Sequence, residues 1–218
     1  MGWGEVPILP GQKSEVKHEV KHSEAERHAQ EAFMEELREI RVKQTAKNVT
    51  SVSDIGQVEN MQLPSSWKEG IIQRTGAGTG NFKEYHPVND PGASMCFYYR
   101  GMLTSPEEGS NFHKVLQEAA HHLSQVEIDS LAQTMRNKDA DVFSMQDART
   151  EDIKGKRVLI VEGSFHKDKH NQTDTRAIYV DADGTGTAVQ EIYYQAPKSS
   201  YAKYLKEVQE AMNAIDWK

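Results

Sequence analysis

His18-Glu19-Val20-Lys21-His22 spells H-E-x-x-H. On a helix, imidazoles at i and i+4 share a face and can hold Zn²⁺, with the intervening glutamate as general base of a hydrolase. His28 stands where the third ligand of the longer H-E-x-x-H-x-x-G-x-x-H pattern falls, so His18, His22 and His28 form the candidate metal set. The surroundings argue against it. Ala25 replaces the glycine that lets the chain turn back toward the metal. On a continuous helix His28 lies about 240° off the face of His22. Lys17 and Lys21 flank the pair where an apolar shell is expected. A solvated, charged helix is the favoured reading, and a zinc-dependent hydrolase is the alternative function.

The other reactive-looking segments are weaker. The stretch from Asp181 to Glu191 has the Asp-x-Asp start and the Gly186 of a calcium loop, but Glu191 falls one residue early and strands flank it. A hairpin turn explains it better. Gly76-Ala77-Gly78-Thr79-Gly80 is followed by strand-like residues, not by the helix start that a phosphate loop requires. His121-His122 and His166-Lys167-Asp168-Lys169-His170 read as surface histidines. Cys96, the only cysteine, sits in apolar Met95-Cys96-Phe97-Tyr98-Tyr99 and reads as a buried thiol. No catalytic residue and no cofactor are assigned.

Composition narrows the classes further. A formal charge of −7 and the absence of a basic run exclude nucleic acid as an expected partner. One cysteine, no leader-like start and no apolar window of about 20 residues lead to the expectation of a cytoplasmic protein without a transmembrane segment.

These residues must be positioned by an uneven chain. Residues 1–13 carry Pro7, Pro10 and Gly11 and read as a tail. From Ser14 to about Lys47 there is neither proline nor glycine, and Ala29, Phe33, Leu37 and Ile40 fall on one helical face. This N-terminal amphipathic helical arm presents Phe33, Leu37 and Ile40 as the candidate partner-binding ridge. Residues 48–66 are rich in Ser, Asn and Gly and read as a linker, so the expected division is 1–60 for tail, arm and linker and 61–218 for a compact domain. In the domain, strands are expected over about 70–75, 82–88 and 93–100, and helices over 110–123 and 126–137. Four further strands follow over 142–148, 157–165, 175–180 and 187–194, then a helix over 200–215 carrying Tyr204, Leu205, Val208, Met212 and Ile215 on one face. Hairpins join most strands, so the fold class is α+β, an antiparallel sheet packed against helices.

Leu63-Pro64-Ser65-Ser66-Trp67 before the first strand, the element order, and Tyr193-Tyr194-Gln195-Ala196-Pro197 before a helix ending in Ile215-Asp216-Trp217 together resemble the PsbP/Mog1-like α/β/α sandwich over roughly residues 61–218. The resemblance implies a mostly non-enzymatic, protein-binding role, including small-GTPase regulators and bacterial secretion adaptors or chaperones. It supplies no functional residue. The expected function is a non-catalytic protein-binding module that meets another protein through the helical arm.

Overall fold

The structure is a computed structural model that describes residues 49–70, 82–102, 105–135, 142–166 and 172–218. Ten strands and three helices follow in the order β1 (Val49–Ile55), β2 (Val58–Pro64), β3 (Trp67–Glu69), β4 (Phe82–Pro87), β5 (Ser94–Met102), α1 (Pro106–Gln117), α2 (Gln125–Ser130), β6 (Phe143–Ile153), β7 (Lys156–His166), β8 (Gln172–Asp181), β9 (Ala188–Pro197), α3 (Lys198–Asn213) and β10 (Asp216–Trp217) among those residues. A seven-stranded sheet runs β3-β4-β5-β9-β8-β7-β6, and a three-stranded sheet runs β1-β2-β10. All pairings are antiparallel. The chain is therefore α+β, as the hairpin-rich pattern predicts.

The expected linker over 48–66 is a hairpin instead. Its Ser and Asn residues point to solvent, while Val52, Ile55, Val58, Met61 and Leu63 are buried in the main core. Alternation with period two, not polarity averaged over the window, is the signal that counts here. The hairpin turn is bolted to β9 by Gln190, whose side chain accepts from the Gln57 amide at 2.6 Å and donates to the Ile55 carbonyl at 2.9 Å. Gly56, at φ +58°, leaves room for this clamp, since a Cβ there would lie 2.5 Å from Gln190 Oε1. Strands β1 and β2 thus share the core of the large sheet, and residue 60 lies inside β2.

Because side chains alternate across a strand, the large sheet has two distinct faces. Ile160 on β7, Ile178 and Val180 on β8, Ile192, Tyr194 and Ala196 on β9, and Met95 and Phe97 on β5 form one face. Helix α3 covers it with Tyr204, Val208, Ala211 and Met212, alongside the small sheet. Trp67 is the anchor, fully buried and edge-on to Tyr194 and Tyr204 at centroid distances of 6.3 and 5.8 Å. Its Nε1 donates to Glu207 at 2.9 Å, so the ring is buried without an unpaired donor.

Among the described residues, the opposite face is covered at one end only. There α1 presents Phe112, Val115 and Leu116 to Leu159, Val161, Ala177, Tyr179 and Val189. Helix α1 starts earlier than the apolar period suggests. Ser105 caps it by accepting from the Glu108 amide at 3.2 Å, with Pro106 in the first turn. Helix α2 is short. Ser124 and Glu127 form a reciprocal capping box, and the chain leaves the helix after Ser130. Buried Glu108 ties α1 to the turn that follows α2, accepting from Thr134 Oγ1 at 2.8 Å.

Candidate functional site

Beyond the reach of α1 and α2, the second face holds a cleft of about 370 Å³. Its floor is three cross-strand rows in register. Gln195 and Thr175 pair across β9 and β8, then Tyr193 and Ala177, then Glu191 and Tyr179. Phe143 and Phe165 make one wall, with rings tilted at 43° and 4.7 Å apart, and Met135, Val161, Thr173, Pro197 and Gly92 complete the lining. The wall depends on Gly163. A Cβ there would meet the Phe143 ring at 2.4 Å, so only glycine lets that ring lie across β7.

The cleft is graded in polarity. Among its polar members Glu191 and Tyr179 are the most buried, at 3% and 2% exposure. The Tyr179 hydroxyl lies 3.1 Å from Glu191 Oε1 and 3.3 Å from the Met135 carbonyl, so its one proton is shared between two acceptors. Thr175 is buried with its hydroxyl spent on the Tyr194 carbonyl at 3.0 Å. Thr173 and Gln195 are half-buried and Pro197 is exposed, which places the mouth at that end of β8 and β9. An apolar body with a few fixed polar groups at defined depth is the usual make-up of a binding cavity.

The segments singled out from sequence fare differently. Phe33, Leu37 and Ile40 lie outside the described residues, as do His18, Glu19, His22 and His28 and the Gly76–Gly80 loop. The calcium-like stretch is a hairpin turn, as expected. Asp181 Oδ1 accepts from the Gly184 amide and Asp183 from the Thr185 amide, each at 2.9 Å, while Asp181 Oδ2 meets His113 Nδ1 of α1 at 2.9 Å. Burial works against the Asp183 charge, but the hydrogen bonds from Thr187 and Thr185 outweigh it and hold the group well below the usual carboxylate range. Glu191 sits on the strand, inside the cleft. Burial pushes the Cys96 thiol up to about 12, which fits an inert buried cysteine.

His121 is more engaged than a surface histidine. Its Nδ1 donates to the Ala119 carbonyl at 2.7 Å, and its Nε2 meets Glu127 at 2.9 Å and Glu118 at 4.0 Å. The Ala119 carbonyl and the Glu127 carboxylate raise its pKa. The Ser124 side chain, the Ser124 amide and His121 together hold Glu127 down to about 2. The histidine–carboxylate pair closes the start of α2. His122 pairs with Asp147 at 2.9 Å, and His166 with Ser144 at 3.0 Å.

Sequence reading misses the cleft. The signal was present in β9, where Ile192, Tyr194 and Ala196 alternate with Glu191, Tyr193 and Gln195. Which strands lie beside β9 is not written in that pattern.

No protein-family description matches the chain, and no curated protein matches it. Among solved structures, the chain is similar to the cyanobacterial PsbP (CyanoP) of Synechocystis, at 9% identity and a TM-score of 0.49, over 78% of this chain and 93% of that one. It is also similar to LpqN, described as involved in cell envelope biogenesis of Mycobacterium tuberculosis, at 15% identity and a TM-score of 0.41, over 78% of this chain and 90% of that one. The first carries the PsbP name of the family that the sequence resembles. The fold class stands on the chain's own sheet and helices.

Proposed function

We propose that this chain is a non-catalytic protein-binding module that takes an apolar group of its partner into the cleft of the seven-stranded sheet. The observation that supports it is the unequal covering of that sheet. One face is sealed by α3 and the β1–β2 hairpin, while the other holds a cleft walled by Phe143 and Phe165 and floored by Tyr193, with polar groups at fixed depth. Aromatic residues in a preformed hollow are typical anchor points for a protein partner. The Phe33-Leu37-Ile40 ridge read from the sequence is proposed as a further element of the interface. A bacterial secretion adaptor or chaperone-like component is the form that the sequence resemblance implies.

Photo-crosslinking tests this reading. A photoreactive amino acid at the position of Gln195, at the cleft mouth, is expected to form a covalent adduct with another polypeptide in the host cell. The same group at exposed Glu59, on the other side of the fold, is expected to form none. Adducts only with small molecules, or none at either position, would overturn the proposal.

A further inference from the structure

Strand β6 is one edge of the seven-stranded sheet. Half of its outer edge is already paired. The Leu123 amide donates to the Ala148 carbonyl and the Thr150 amide to the His121 carbonyl, each at 2.8 Å, around a single bridge between His122 and Arg149. The other half is not paired in this way. The His166 amide donates to the Val142 carbonyl at 2.7 Å, so by antiparallel alternation the amides and carbonyls of Phe143 and Met145 point away from β7. Among the described residues no backbone group pairs with them. The register shift between Met145 and Asp147 keeps both halves of β6 facing outward with the same side-chain face.

Beside this half-edge runs a groove of about 400 Å³ between β6 and α2, lined by Leu123, Ile128, Phe143 and Met145 on its apolar side. Of the three exposed large hydrophobic residues among the described ones, two adjoin it: Val126, 79% exposed, follows groove residue Gln125, and Val142, 39% exposed, precedes Phe143. The charges around the edge are mainly acidic. Glu127, Asp129, Asp147 and Glu151 outnumber Arg149, which contacts Asp147 and Glu151, while the histidines His121 and His122 meet Glu127 and Asp147.

We propose that the outer edge of β6 at Phe143–Met145 accepts an extended, basic peptide segment by strand addition, with alternate apolar side chains in the groove beside α2. Backbone pairing supplies the affinity in this mode, and the pockets for alternate side chains supply the selectivity. The acidic border selects cationic segments and speeds their approach. The chain's own His121–Leu123 stretch shows the geometry, because it already pairs with the next residues of the same edge. The groove shares Phe143 with the wall of the cleft and otherwise has its own lining.

The probe is a short fluorescent peptide of alternating lysine and valine, titrated against the full chain at low ionic strength. Saturable binding is expected, with amide-exchange protection gained at Phe143 and Met145. A glutamate–valine peptide, and a lysine–valine peptide N-methylated at alternate backbone positions, are each expected to bind roughly tenfold more weakly or worse, the scale of one or two net hydrogen bonds. Met145→Pro removes an outward donor from the edge and is expected to weaken binding by the same factor. The N-methylated probe keeps the test valid if that variant fails to fold. Absence of saturable binding, equal binding of the N-methylated or the glutamate peptide, or protection at Thr173 and Tyr193 instead of the edge would overturn the proposal.

Discussion

The two faces of the large sheet are made by the same strands and differ residue by residue. On β8 and β9, Ile178, Val180, Ile192, Tyr194 and Ala196 look toward α3 and are buried, while Thr175, Ala177, Glu191, Tyr193 and Gln195 look toward the cleft. The first set is apolar and is matched by a full-length helix and a second sheet. The second set mixes small, polar and aromatic side chains and is matched by short helices at one end. Burial of the first set stabilises the fold at roughly 25 cal/mol for each Å² of apolar surface removed from water. The second set gives up part of that gain and keeps a shaped hollow. On the proposed function, structure and binding are thus divided between the faces, and this division can be tested.

The largest effect is expected from the hairpin. Deleting residues 1–60 removes β1 and half of β2, with Val52, Ile55 and Val58, and opens the sealed face. Loss of the cooperative thermal transition is the expected result. A truncated chain that still melts cooperatively would show that the hairpin is an accessory. Next, Trp67→Ala on the sealed face is expected to cost ~3–5 kcal/mol in denaturant unfolding. Phe165→Ala, on the cleft wall and partly exposed, should cost less than about 1.5 kcal/mol while changing what the cleft binds. Similar costs at the two positions would erase the distinction between the faces. Smaller again, Gly163→Ala drives a methyl against the Phe143 ring and is expected to destabilise by ~1–3 kcal/mol and to narrow the cleft. Reduced uptake of a hydrophobic fluorescent dye would report the narrowing.

The smallest effect belongs to the half-covered end. The raised pKa of His121 means that its charged form stabilises the fold below its unfolded value of about 6.5, and that this is lost as pH rises through the folded value. Glu127, held down to about 2, contributes above its ordinary 4.5 and loses that contribution as pH falls toward 2. The pair is therefore strongest between about 4.5 and 6.5. His121→Gln should lower the melting temperature more at about pH 5.5 than at about pH 8.5, and an equal drop at both would remove the ion pair from the account.

Much of the fold was legible because its signals are local. The turn at Asn89-Asp90-Pro91-Gly92, the hairpin at Asp181–Gly186 and the stripe of α3 are each carried by neighbouring residues. The β1–β2 hairpin was obscured because Ser51, Ser53 and Asn60 make its window polar, although Val52, Val58 and Met61 keep the alternation. The cleft was illegible for a different reason. It arises where β9 lies between β5 and β8, and that order is set by packing among residues far apart in sequence. Gly163 illustrates the difficulty: it reads as a weak point in a strand, and only the neighbouring Phe143 ring gives it a purpose.

The small sheet also has a consequence for synthesis. Its third strand, β10, pairs Asp216 and Trp217 with Asn60 and Val58, and the Trp217 indole donates to the Ile153 carbonyl at 2.8 Å. A ribosome emits residues 49–64 long before residues 198–217. The hairpin, with its apolar side, must therefore wait for α3 and β10 before the sealed face can close. Contacts this distant in sequence slow folding and lengthen the time an unpaired strand edge is exposed. The nascent chain is thus open to chaperones, or to premature pairing with another copy, until its final turn of helix has been made.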